Sequence, residues 1–167
     1  MAKLRFAEAL EALPVLVPAT AANDTARVSS FVDLSLAHWV TFVCNFGLIS
    51  VTDTGLITVV VEGSTTGQDS DSETNVDFSY RIGNIISAAP TKGTITYCES
   101  TNTNTVASTD VASGLLIIDV DPAEAQYRYV RVSLDPAADT TSWVVGIVAY
   151  KEPRYPGNTL PSNFTST

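Results

Sequence analysis

The residues best able to act as nucleophiles or zinc ligands are a single histidine and two cysteines, His38, Cys44 and Cys98. Nucleophilic catalysis needs a base beside the nucleophile, and a structural zinc ion needs four ligands. Neither cysteine lies in a nucleophile signature, so the sequence predicts no catalytic residue and no zinc site. We interpret His38, next to Trp39, as a packed strand residue. The cysteines are typical of a reduced cytosolic protein, and a bridge between them stays open.

A second candidate for chemistry is the triplet Asp53-Thr54-Gly55, which lies between two apolar runs. Aspartic proteases carry such a triplet, and two Asp side chains share one proton there. This chain has one triplet, so a homodimer would have to supply the pair. Leu56 follows the triplet where those enzymes have a small residue. We therefore interpret the triplet as a hairpin turn, in which Asp and Gly have conformational roles.

Acidic side chains alternate along one stretch that includes Asp69, Asp71, Glu73, Asn75 and Asp77. Calcium binds oxygen ligands of this kind, but an EF-hand loop needs Gly at its sixth position and Glu at its twelfth. Thr74 and Tyr80 stand at these positions. We interpret the stretch as a solvated acidic loop that protects an edge strand, and we expect no metal and no cofactor. A calcium-dependent carbohydrate-binding sandwich is the open alternative.

An aromatic and basic strand is the best candidate for an interaction site. Residues 127–132 read Tyr-Arg-Tyr-Val-Arg-Val, which places Tyr127, Tyr129 and Arg131 on one face of a strand. Tyr and Arg are enriched at protein interfaces. These three residues therefore form a predicted interface strand, and the alternative is a sheet face half covered by the chain's own loops.

Short β-rich runs position these candidates, and clusters of Gly, Asp, Asn, Ser, Thr or Pro separate them. Seven to nine such strands predict an all-β fold, an antiparallel β-sandwich with jelly-roll-like character. We expect the last three strands to form a meander and residues 121–126 to form one helical turn. Residues 63–75 and 99–113 are expected to be solvated loops.

Apolar side chains recur in both terminal segments. Residues 1–26 are predicted to be an N-terminal arm, which can begin with an amphipathic helix over residues 2–13 that Pro14 and Pro18 stop. Residues 27–150 form the β-sandwich domain, and residues 151–167 form a Pro-rich C-terminal arm. The predicted arm anchors, which act by apolar burial on a partner, are Leu4, Phe6, Leu10, Tyr155, Leu160 and Phe164.

The charge is concentrated in the middle of the chain. The 167 residues include 18 acidic and nine basic side chains, for a net charge of −9. Residues 27–150 carry −9, whereas residues 1–26 carry −1 and residues 151–167 carry +1. This sign opposes nucleic-acid binding by bulk charge. Glu8 and Glu11 interrupt the apolar N-terminal residues, and we expect neither a signal peptide nor a membrane partner.

Four strand-like segments carry a family resemblance: VSSFVDLS from Val28, WVTFVC from Trp39, ITVVVEGS from Ile57 and YRYVRV from Tyr127. An acidic β-rich middle lies between an apolar N-terminal arm and a Pro-rich C-terminal arm. This pattern resembles the head decoration, or cement, proteins of tailed bacteriophages. The resemblance covers residues 27–150 and contains no short invariant motif, so it carries over no catalytic or binding residues.

The resemblance implies a non-enzymatic virion structural protein with a jelly-roll-like domain. Such a protein forms homotrimers on the outer capsid surface, contacts the major capsid protein and ties neighbouring capsomers together. It would be made in the cytoplasm of the bacterial host and would need no cofactor, nucleic acid or membrane. The open alternatives are a tail-tube, tail-completion or head-tail joining protein, and a dimeric aspartic protease that acts through Asp53.

Overall fold

The described part of the chain folds into β-strands with one short helix. The computed structural model describes residues 10–22, 25–51, 56–69, 73–86, 89–101, 104–107, 114–136 and 140–153. The strands in these ranges are β1 (Glu11–Ala22), β2 (Arg27–Val28), β3 (Val32–Asp33), β4 (Ala37–Val51), β5 (Leu56–Ser64), β6 (Thr74–Asn75), β7 (Phe78–Ile86), β8 (Ala89–Lys92), β9 (Thr96–Cys98), β10 (Asn104–Ala107), β11 (Leu115–Val120), β12 (Tyr129–Pro136) and β13 (Thr140–Pro153). The helix α1 (Pro122–Ala125) connects β11 to β12.

The strands form two antiparallel sheets. The large sheet has the order β1-β13-β4-β11-β7, and both β8 and β9 pair with β7. The small sheet has the order β10-β5-β12-β2, in which β3 also pairs with β12 and β6 with β5. The two sheets approach each other beside β1, where the Ser30 amide donates a 2.9 Å hydrogen bond to the Val15 carbonyl. This contact covers part of the outer edge of β1.

A single apolar core lies between the sheets, and alternate residues of each strand enter it. In β5, for example, Ile57, Val59 and Val61 are buried, whereas the residues between them are half-buried. Trp143 stacks on Phe46, with ring centroids 6.3 Å apart. The largest fully buried side chains come from both sheets: Trp143, Phe42, Ile57, Leu116, Ile118, Leu134 and Ile147. The predicted all-β antiparallel sandwich is confirmed, and the narrower jelly-roll assignment stays a prediction.

The predicted helical turn is also confirmed. It spans Pro122–Ala125 and follows Asp121, whose carboxylate accepts a 2.8 Å hydrogen bond from the Ala123 amide. This bond satisfies one of the free N–H groups at the helix start. Gln126 ends the turn in the left-handed conformation, with φ at 57°. The turn carries the chain from the large sheet to the small one.

Residues 11–22 differ from the sequence prediction of a helix followed by a linker. They form β1, which pairs with β13 from Glu11↔Lys151 to Ala22↔Ser142. Pro14 and Pro18 are tolerated because β1 lies at the edge of the large sheet, where a missing N–H costs no bond to a second strand. The pairing of β1 with β13 also shifts in register near both prolines, and these irregularities accommodate the proline rings in the strand. The sandwich therefore includes residues that the sequence assigned to the N-terminal arm.

The predicted meander of the last three strands is wrong. β11 and β13 belong to the large sheet, on opposite sides of β4, whereas β12 lies in the small sheet beside β5. Strand patterns specify a half-buried surface and not the pairing partner, which depends on contacts between distant residues. Consecutive strands here cross between the sheets. β4 and β5 also lie in different sheets and do not pair with each other, and Asp53–Gly55, the predicted turn between them, lies outside the described residues.

Two predicted loops contain short strands. Thr74–Asn75 pairs with β5 as β6, and Asn104–Ala107 pairs with β5 as β10. At the C-terminal end, β13 continues to Pro153, which pairs with Ala37 and is buried. The first three residues of the predicted C-terminal arm are therefore part of the large sheet.

Candidate functional site

The predicted interface residues are covered by the chain's own loop. Tyr127 and Tyr129 are half-buried, and Arg131 is buried. The Tyr127 ring lies against Gly63 and the Tyr129 ring against Gly67, so closely that an added Cβ would come within 2.4 Å and 2.9 Å of them. The chain's own residues therefore cover part of this strand, and the predicted interface role of Tyr127, Tyr129 and Arg131 stays a prediction.

Three carboxylates surround the Arg131 guanidinium. Its Nε donates a 2.7 Å hydrogen bond to Glu62, which lies directly opposite on β5, and its two terminal nitrogens donate to Asp69 and Glu73. The guanidinium also lies over the Phe31 ring, 4.6 Å from the centroid. We call Arg131 with these three acids the Arg131 cluster. It fastens the acidic loop over the small sheet.

The carboxylates of the Arg131 cluster stabilise the charged form of the guanidinium. Burial alone would lower the pKa of Arg131, but the hydrogen bond to Glu62 and the negative charges of Glu62 and Glu73 outweigh it and raise the pKa. The guanidinium is therefore a permanent cation, and planar donors suit it to several carboxylates at once. The loop is held further by the Ser64 hydroxyl, which accepts hydrogen bonds from the Thr66 and Gly67 amides.

The described acids of residues 69–77 have different partners. Asp69 and Glu73 contact Arg131, whereas Asp77 accepts hydrogen bonds from the Ser100 amide and the Tyr97 hydroxyl, and the Ser100 bond lowers the pKa of Asp77. Asp71 lies outside the described residues. The part of the chain that the structure describes contains no group of three or more His, Cys, Asp or Glu side chains able to hold a metal ion.

The other candidates for chemistry are scattered. Asp53 lies outside the described residues. His38 is in β4, as predicted, but its side chain is exposed and not packed. Cys44 and Cys98 are both buried and free. Burial raises the pKa of Cys44 strongly and that of Cys98 to about 11, which keeps both thiols protonated and unreactive.

Of the six predicted arm anchors, Leu10 is the one among the described residues. It lines a groove of about 370 Å³ together with Trp39, Thr41, Tyr150 and Glu152. Leu10 thus contacts its own sheet. The other five lie outside the described residues: Leu4, Phe6, Tyr155, Leu160 and Phe164.

The groove at Leu10 is one end of a larger apolar surface. Strand register places Pro14, Val148, Val43 and Ile117 side by side on the outside of the large sheet. Leu115, which is 36% exposed, lies on the same side, and a second groove of about 430 Å³ runs between β1 and Leu115. We call this surface the outer apolar face. The sequence signal for it was weak, because its residues come from four separate strands.

Trp39 borders the outer apolar face and is held in place by a carboxylate. Its indole N–H donates a 3.3 Å hydrogen bond to Asp119, and the Thr41 hydroxyl donates a 2.5 Å bond to the same oxygen. Trp39 is nevertheless 37% exposed. Sequence reasoning missed this pairing, since Trp39 and Asp119 are brought together only by the register of β4 and β11.

The ends of the described chain meet at one corner of the sandwich. Glu11 pairs with Lys151 in the β1–β13 ladder, and their side chains form a 3.6 Å ion pair. Leu10 and Pro153 therefore lie at the same end of the large sheet. The segments before and after them start from one place.

The chain matches no protein-family model, no curated protein and no solved structure. Site roles therefore come from the residues themselves. Among the described residues, no helix has the length and apolar character needed to cross a membrane.

Proposed function

We propose that this chain is a non-enzymatic structural protein of a tailed bacteriophage that decorates the capsid and bridges neighbouring capsomers. The observation that carries the proposal is the corner where β1 and β13 meet. A sandwich whose described ends meet at one corner is suited to attachment at that corner, through the C-terminal segment that leaves it there, with the body projecting away. The major capsid protein is the proposed partner, and the outer capsid surface is the proposed location.

The distribution of charge supports this arrangement. Residues 27–150 carry the net charge of −9, whereas residues 154–167 contain Arg154 and no acid. An acidic body stays soluble and is repelled by nucleic acid. The C-terminal segment carries Tyr155, Leu160 and Phe164, and a segment with three large apolar groups gains by burying them on a partner.

Binding through several copies of the segment would make a weak contact per copy sufficient for attachment. A homotrimer presents three C-terminal segments to one shell, and once one segment is bound, the others bind at a high effective concentration. The sandwich itself does not need to change shape, since its single core spans both sheets. In this proposal the body acts as a solvent-facing cap, and residues 154–167 supply the adhesion.

The test is binding of the purified full chain to empty capsids of the phage that encodes it, measured by co-sedimentation. The variant Tyr155→Ala/Leu160→Ala/Phe164→Ala should bind at least about 100-fold more weakly, since each buried anchor contributes roughly 1.5–3 kcal/mol. Deletion of residues 154–167 should do the same and leave the sandwich folded, because the cut falls after buried Pro153.

The matched control is Asn158→Ala/Ser162→Ala/Ser166→Ala, which changes three polar residues of the same segment and should bind as the parent does. Equal occupancy by the anchor variant would contradict the role of the C-terminal segment. No binding by the full chain would contradict the proposed function. Rings or open polymers in solution, in place of a trimer, would favour the tail-tube, tail-completion or head-tail joining alternative.

A further inference from the structure

We infer that Leu36, in the turn between β3 and β4, is a contact residue of the sandwich body and inserts its side chain into an apolar pocket of the major capsid protein. The inference rests on the proposed function and adds a residue of the sandwich to it. Leu36 is 63% exposed, although Leu34 and Ala37 on either side of it are buried. This turn therefore leaves one large apolar side chain in water.

The backbone of Leu36 is strained. The Ala37 amide donates a 3.0 Å hydrogen bond to the Leu34 carbonyl, which closes a β-turn with Ser35 and Leu36 at its centre. The φ angle is 61° at Leu36 and is not positive at Ser35. This is the pattern of a type II turn, whose third residue is usually Gly. In a leucine this conformation is disfavoured, because the Cβ atom crowds the following carbonyl oxygen.

The strain at Leu36 has no evident role inside the sandwich. Among the described residues, Gln126 is the other non-glycine residue with a positive φ, and it ends α1 as a polar C-terminal cap. Leu36 ends no helix and buries little of its side chain. A residue that is both strained and exposed is typical of a functional position. The position of Leu36 therefore indicates a contact outside the sandwich.

Hydrogen bonds on both sides hold the turn in its strained form. The Asp33 carboxylate accepts a 2.8 Å hydrogen bond from the Ser35 amide and pairs with Arg128 at 2.9 Å. The Leu34 amide donates a 2.7 Å hydrogen bond to the Arg128 carbonyl. A side chain that is already held in place loses less freedom on binding, so more of its burial contributes to affinity. The turn thus presents Leu36 ready for a contact.

Leu36 lies at the corner that the proposed function uses for attachment. The ladder between β4 and β13 ends with the pair Ala37↔Pro153. Leu36 directly precedes Ala37, so it lies just beyond this pair, at the end of the large sheet where the described chain ends. The contact of Leu36 and the contact proposed for residues 154–167 therefore concern the same corner of the sandwich.

The surroundings of Leu36 favour a protein as its partner. The ion pair between Asp33 and Arg128 lies beside the turn, and the Arg128 side chain is 58% exposed. An apolar centre with a polar rim is the usual form of a protein interface. A leucine needs no polar group in the pocket that receives it, and its burial there removes apolar surface from water. An apolar pocket in a protein surface is thus the matching site.

The first measurement is thermal unfolding, which needs no partner. Leu36→Gly should raise the melting temperature by about 2–4 °C, because glycine adopts a positive φ without strain. The matched control is Leu56→Gly, the same exchange at a 47% exposed position of β5 where φ is not positive. This control should lower the melting temperature, since glycine weakens the interior of a sheet.

The second measurement is co-sedimentation with empty capsids of the phage that encodes the chain. Leu36→Asn removes the apolar side chain and keeps a residue type that tolerates a positive φ. Leu36→Asn and Leu36→Gly should both bind at least about tenfold more weakly, a loss that corresponds to 1.4 kcal/mol and that burial of one leucine can supply. The control Ile95→Asn removes a 62% exposed side chain beside β9, at the opposite edge of the large sheet from β1, and should bind as the parent does.

Two results would overturn the inference and leave the proposed function intact. Leu36→Gly could lower the melting temperature as much as Leu56→Gly does, which would show that Leu36 is not strained. Both Leu36 variants could bind as the parent does while the anchor variant of residues 154–167 binds weakly, which would remove Leu36 from the contact.

Three further results would also overturn it. Equal weakening by Ile95→Asn would assign the loss to surface hydrophobicity in general. A trimer of the parent that dissociates in Leu36→Asn, measured by sedimentation velocity, would assign Leu36 to a contact between copies of this chain. No binding by the parent would overturn both the inference and the proposed function.

Discussion

The Arg131 cluster offers a direct test of what holds the acidic loop on the small sheet. Arg131→Met keeps most of the length and apolar stem of the side chain and removes its charge. The Arg131 side chain is only 11% exposed, and two of its partners, Glu62 and Glu73, are 20% and 26% exposed. Asp69, at 87%, is in water and contributes little. The variant therefore leaves two poorly solvated carboxylates without their shared cation.

The size of the effect follows from this burial. Removing one partner of a fully buried ion pair costs about 3–5 kcal/mol, and partial exposure of both acids reduces the figure to about 2–3 kcal/mol. In a chain of this size the melting temperature should fall by about 5–10 °C. Adding Glu62→Gln/Glu73→Gln to Arg131→Met should recover part of the loss, because the two negative charges are then gone.

The assay is thermal unfolding followed by calorimetry at neutral pH, with Arg128→Met as the matched control. Arg128 directly precedes β12 and pairs with Asp33 at 2.9 Å, but its side chain is 58% exposed. Its loss should lower the melting temperature by less than Arg131→Met does, because water screens an exposed pair. Equal melting temperatures for the two variants would refute the reasoning that the buried cluster fastens the loop.

Two further predictions concern titration and reactivity. The hydrogen bond from Arg128 lowers the pKa of Asp33 from 3.8 to about 2, so the stability that this pair adds is present above about pH 4 and is lost as the pH falls toward 2. Asp33→Asn should flatten the melting temperature against pH in this interval, and an unchanged slope would contradict the assignment. Cys44 and Cys98, buried and with raised pKa values, should react with a thiol reagent far more slowly in the folded chain than in denaturant. Rapid labelling of the native protein would disprove their burial.

Strand positions could be predicted from the sequence because their signal is local. The β-rich run of residues 56–62 identified β5, and the run of residues 115–120 identified β11. Pairing could not be predicted, since β11, β12 and β13 look alike in the sequence but alternate between sheets. The sequence also did not predict β1. A proline such as Pro14 is incompatible with a central strand, and nothing in the local sequence shows that residues 11–22 form an edge strand, where proline is tolerated.

The candidate sites were likewise predicted only in part from the sequence. The alternation of Tyr129 and Arg131 with core valines was evident from the sequence. The partners of Arg131 were not, because Glu62 is 69 residues away and Asp69 is 62 residues away. The outer apolar face required the register of several strands before its residues could be seen as neighbours. Local composition therefore identified candidate side chains and left their contacts open.

The pairing of β1 with β13 has a consequence for synthesis of the chain on the ribosome. β1 is the first of the described strands to be made, yet its partner in the large sheet is the last of them, and roughly 120 residues separate Ala22 from Thr140. At about 5–20 residues per second, the first strand waits roughly 6–24 s for its partner. Two prolines in β1 make it a poor template for pairing with other nascent chains during that interval. Pro14 and Pro18, which made β1 resemble a linker in the sequence, thus hinder its pairing with other chains until β13 has been made.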